Sequence, residues 1–185
     1  MDFSRTEIRD IAVSTVALAF AFGHFNQFFE ALFVVGVAFL SHELIGHKFV
    51  AQRYNAFAEY MMWPLGLALA VLTSFFGFIF AAPGAVYISP YHKKFAFPLA
   101  HLGKREYGIV SLAGPAVNII LGIIFLVGAL VYEIGILAFA AHISFFLAFF
   151  NLLPIPPLDG SKVIAWNKVY WGAAIAVSFA GYLLV

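Results

Sequence analysis

From Ile11 to Val185 the chain is a succession of apolar runs separated by short polar clusters. A backbone carried by such runs is expected in a bilayer, where each run satisfies its own hydrogen bonds as a helix. Hydrophobic residues make up 64% of the 185 and charged ones 10%, well below the roughly 25% of a soluble domain. We therefore expect an integral membrane protein forming one domain over residues 1–185. The net charge of +1 gives no case for nucleic-acid binding. With no cysteine, any bound metal would have to be held by His, Asp or Glu. The first run lacks a small-residue cleavage site, so it is expected to stay as a helix and not to be removed as a signal peptide.

Taken in order, the first run extends from about Glu7 to Phe25, and the second from Phe28 to about Arg53. The third, Met61 to Phe80, passes into Ala82 to Ile88, where Pro83-Gly84 and a β-prone end argue against continued helix. Further runs cover Gly108 to Val131, Ile134 to Phe150 and about Val169 to Val185. Lys48, Arg53, Lys93, Lys94, Lys104, Arg105, Lys162 and Lys168 can all be placed on one side only if residues 61–92 enter and leave on that side. The fold class expected is thus an all-α polytopic membrane protein with about five membrane-spanning helices and a re-entrant helix/extended hairpin. The positive-inside rule makes the basic side cytoplasmic, in a multi-pass cell-membrane protein.

The second run closes on His42-Glu43-Leu44-Ile45-Gly46-His47. Two imidazoles and a carboxylate are costly to bury at such a place, and they point to metal binding. Zinc (Zn2+) commonly takes imidazole nitrogen, and a neighbouring glutamate is placed to act as general base on its water. Asp159, after three prolines and before Gly160, can project a carboxylate as third ligand. The histidines stand five apart, roughly 140° round an ideal helix. A π-bulge near Gly46 would absorb the extra residue and bring them together. On an undistorted helix Glu43 and His47 would share a face, and His42 would point elsewhere. Asn118 and Asn151 are amides in or at the ends of apolar runs. They either hold a substrate backbone or its oxyanion, or bond between helices.

His42 to His47, Ala113-Gly114-Pro115-Ala116-Val117-Asn118 and Asn151-Leu152-Leu153-Pro154-Ile155-Pro156-Pro157-Leu158-Asp159-Gly160 together resemble the site-2 protease family of intramembrane zinc metalloproteases. The resemblance covers Phe28 to Gly160, and the third stretch is its most specific part. It implies that His42, His47 and Asp159 are zinc ligands, that Glu43 is the catalytic general base, and that Ala82 to Ile88 helps present an unwound substrate strand. The family pattern HExxH carries one residue fewer than this chain, whose spacing is similar to the zinc motif of a soluble dipeptidyl-peptidase family. The PDZ or CBS modules that many family members carry are not expected here, so substrate selection is expected to fall to the membrane domain or a partner. The function so implied is a zinc endopeptidase acting on transmembrane protein substrates, with its site towards the cytoplasmic side. A catalytically inactive relative that binds membrane segments without cleaving them is the alternative, and a metal transporter ranks below both. Oligomeric state is not legible.

Overall fold

A computed structural model of the protein describes residues 3–90 and 102–185. Ser4 caps the first helix, α1 (Arg5–Gly23), by accepting the Glu7 N–H at 3.0 Å. A turn at His24 leads into α2 (Phe28–Leu40). This helix runs without a break through a π-helical stretch, Ser41–Lys48, into α3 (Phe49–Arg53). The extra residue between the histidines is thereby absorbed, and the undistorted alternative does not occur. After the sheet described below come α5 (Lys104–Tyr132), α6 (Gly135–Asn151), α7 (Asp159–Trp166) and α8 (Lys168–Leu184).

Among the described residues, two helices are long and apolar enough to cross a bilayer by themselves. They are the 26-residue rod Phe28–Arg53 and the 29-residue α5. The apolar helices α6 and α8 are shorter, at 17 residues each.

Within the described part of residues 61–92 the expected helix followed by an extended segment is found, but a strand that was not expected precedes the helix. Residues Phe57–Met62 form a strand, β1, which pairs antiparallel with β2 (Gly84–Ser89). Helix α4 (Pro64–Ser74) lies in the connection between them. Among the described residues the fold is mostly helical with one two-stranded sheet, not all-α. Local sequence did not mark β1, because Phe57–Met62 gains its strand character from a partner more than twenty residues further on. The expectations for Lys93, Lys94 and the end of the hairpin fall outside the described residues.

Helix α5 stands at the centre, packed against α6, the π stretch and α7. Its approach to the π stretch is backbone on backbone: a Cβ on Gly46 would lie 2.7 Å from the Gly114 nitrogen. Large apolar side chains such as Phe29, Phe33, Ile120 and Leu130 point outward, while Glu7, His42, Lys48 and Asn118 lie inside. That inversion of the soluble pattern is what a lipid solvent favours.

Candidate metal centre

The π stretch carries His42, Glu43 and His47, all buried. In π geometry the Phe49 N–H reaches back five residues to the Leu44 carbonyl, so residues five apart sit one above the other. His42 Nε2 and His47 Nε2 accordingly face each other at 3.0 Å. Two ring nitrogens this close must share a proton or a cation. Asp159, at the start of α7, brings Oδ2 to 3.1 Å from His47 Nε2 and 3.7 Å from His42 Nε2. A tetrahedral ion with ligands at about 2.0–2.1 Å has edges of roughly 3.3 Å, and the three separations lie around that value. His42, His47 and Asp159 could therefore hold a metal ion, and they fit zinc in donor type and spacing.

Two features behind the imidazoles bear on that fit. His47 Nδ1 lies 2.9 Å from the Val110 carbonyl. A carbonyl only accepts, so Nδ1 carries the proton and Nε2 presents its lone pair to the site. Behind His42, Asn118 Nδ2 lies 3.1 Å from Nδ1, while Asn118 Oδ1 is buried with no hydrogen-bond partner among the described residues. Turning this amide over puts its oxygen against an Nδ1–H. The orphaned acceptor is then satisfied, and His42 Nε2 is free to bind a metal. Asn118 is fully buried against His42 and does not reach the cavity described next.

Gly160 makes room for Asp159. A Cβ there would lie 2.5 Å from the Leu153 carbonyl oxygen, so the start of α7 rests on the backbone of the proline-rich turn. Trp171 Nε1 of α8 donates to the Leu152 carbonyl at 2.8 Å and pins the same turn.

A cavity of about 420 Å³ opens beside the ligands, walled by Glu43, Tyr107, Ser111, Asn151 and Lys162 and by β2 from Gly84 to Ile88. Glu43 Oε2 is buried without a hydrogen-bond partner among the described residues, although the cavity is next to it. A carboxylate oxygen left in this way has a bond to offer to water or substrate. Asn151, at the end of α6, donates Nδ2 to the Leu147 carbonyl at 3.0 Å and shows its other face to the cavity. Lys162 Nζ stands 3.6 Å from Asp159 Oδ1.

Sequence reasoning read Lys48 as a marker of the basic helix end. The structure buries it completely, with Nζ donating to Glu7 Oε1 at 2.7 Å and Oε2 at 2.6 Å. Nothing local signals a partner 41 positions away. Gly114 leaves room for both rings, since a Cβ there would fall 2.6 Å from His47 Cε1 and 2.8 Å from His42 Nε2.

Apolar helices that enclose two imidazoles, a carboxylate and a further glutamate beside a strand have the make-up of a metallohydrolase. Comparison with known proteins agrees with this class. The model of peptidase family M50 matches residues 132–174, the part that holds Asn151 and Asp159. Over 194 aligned residues the chain is 42% identical to a curated protein of Methanocaldococcus jannaschii named "Putative zinc metalloprotease MJ0611". The match covers 98% of this chain and 95% of that protein. No solved structure matches. The chain belongs to peptidase family M50, the site-2 protease family.

Proposed function

We propose that the protein is an intramembrane zinc endopeptidase that hydrolyses peptide bonds in or near transmembrane segments of other membrane proteins. The observation that carries this reading is the unpartnered Glu43 Oε2, set between the convergent His42, His47 and Asp159 and a cavity walled by a strand. Zinc, when bound, supplies Lewis acidity and makes a nucleophile of water near neutral pH. Glu43 takes the proton of the attacking water and returns it to the leaving amine. Asn151 orients the substrate backbone at the cavity wall, and Asn118 holds the His42 ring behind the metal. A helical substrate hides its peptide bonds in its own hydrogen bonds, and the β2 edge replaces those bonds as the segment unwinds. The chain crosses the cell membrane several times, with Arg53, Lys104, Arg105, Lys162 and Lys168 on the cytoplasmic side towards which the site faces.

The test sets Glu43→Gln beside wild type, with a membrane-segment reporter and zinc analysis of the purified proteins. We expect cleavage to fall by at least about 10²-fold while zinc is retained. We expect His47→Ala and Asp159→Ala to lose both zinc and cleavage. Undiminished cleavage by Glu43→Gln would sink the mechanism. Zinc bound by a wild type that cuts nothing would favour a protein that binds membrane segments without cleaving them.

A further inference from the structure

Facing residues of an antiparallel pair alternate between those that exchange both hydrogen bonds and those that exchange none. In β1 the Tyr60 N–H goes to Glu7 Oε1 at 2.9 Å, and the Met62 N–H goes to Asp10 Oδ2 at 3.2 Å. Both acceptors are buried carboxylates one turn apart on α1. Tyr60 faces Val86 and Met62 faces Gly84 in the register. These are therefore the pairs that exchange nothing across the sheet. Gly84 and Val86 must turn their own N–H and C=O groups the other way, to the edge of β2 that faces no other strand among the described residues. There β2 and Glu43 wall the same cavity. The same Glu7 carboxylate is gripped through both oxygens by Lys48, which directly follows the ligand His47. One buried side chain thus refers the strand to the metal helix.

We propose that Glu7, held by Lys48, and Asp10 are positioning residues that fix the register and parity of the β1–β2 sheet against the metal ligands. In doing so they select which backbone groups of β2 meet a substrate and which bond of an extended substrate lies beside Glu43. The second part rests on the protease reading. Side chains and backbone groups alternate along a strand, so a slip of one residue would offer Ala85 and Tyr87 in place of Gly84 and Val86. The carboxylates also occupy the outer edge of β1, which leaves, among the described strands, the edge of β2 for an incoming strand.

The chain has no cysteine, so paired cysteines can report the register directly. Ala58 and Ile88 face each other two residues from the Tyr60–Val86 pair, in the same parity and at a spacing that suits a disulfide. We would follow oxidation of Ala58→Cys/Ile88→Cys and of the offset pair Ala58→Cys/Tyr87→Cys in the detergent-purified full chain. With Glu7 and Asp10 intact, only the first pair should close. Adding Glu7→Ala together with Lys48→Met, which removes the acceptor for Tyr60 without leaving the lysine behind, or Asp10→Ala should slow the first pair several-fold and let the offset pair form. Unchanged cross-linking in either variant that remains monodisperse would overturn the proposal. A reporter with one apolar segment of about 20 residues supplies the second readout, since its cut positions should move or spread in the same variants. Cross-linking needs no turnover, so a wild type unable to cut this reporter would count against the protease reading and leave the register result to stand by itself.

Discussion

Two imidazoles occupy the space that a side chain at Gly114 would need, and this makes a residue without ligand atoms decisive for metal binding. Gly114→Ala is expected to push His42 and His47 apart and to lower bound zinc well below one ion per chain. Metal analysis with circular dichroism would show the loss at unchanged helix content. Asn118→Leu removes the partner of His42 Nδ1 and should weaken zinc binding about 10–100-fold, read by competition with a chelating dye. His42, Glu43, His47 and Asp159 were legible because ionisable groups in an apolar chain have few other reasons to be there. The setting of Asn118 and Gly114 was not, since each is defined by a contact with a helix some seventy positions away.

The π stretch is the element in which sequence and geometry meet most directly. Five residues between histidines call for a distortion if both are to bind one ion, and Gly46 is where α5 comes closest. Strand β1 and the Glu7–Lys48 pair gave no comparable signal, because each is completed only by a distant partner. The pair also makes a stability prediction. Removing one member of a buried ion pair strands the other, so Lys48→Met should cost about 3–5 kcal/mol. Thermal unfolding in detergent should register this as a lower midpoint. The double variant Glu7→Gln/Lys48→Met should recover much of the loss, because it removes both charges of the pair and keeps an acceptor for the Tyr60 N–H.

At the scale of the whole molecule, the apolar runs foretold a membrane protein and the approximate order of its helices. They did not foretell that α5 would gather the π stretch on one side and α7 on the other. The ligands come from both of these neighbours, His42 and His47 from the first and Asp159 from the second. Zinc held at a thousand times its dissociation constant adds about 4 kcal/mol to the folded state. Stripping it with a chelator should lower the unfolding midpoint by roughly 10 °C for a chain of this size, and calorimetry with and without added zinc would show it.

The join between His47 and Asp159 closes a long loop that contains the sheet and all of α5. Loop closure withdraws entropy from the unfolded chain, as a disulfide does, and this chain has no cysteine with which to make one. The ion at this site would be a staple between the two ends of that loop as well as a reagent. A chelator would then act on the protein much as a reductant acts on one held by disulfides.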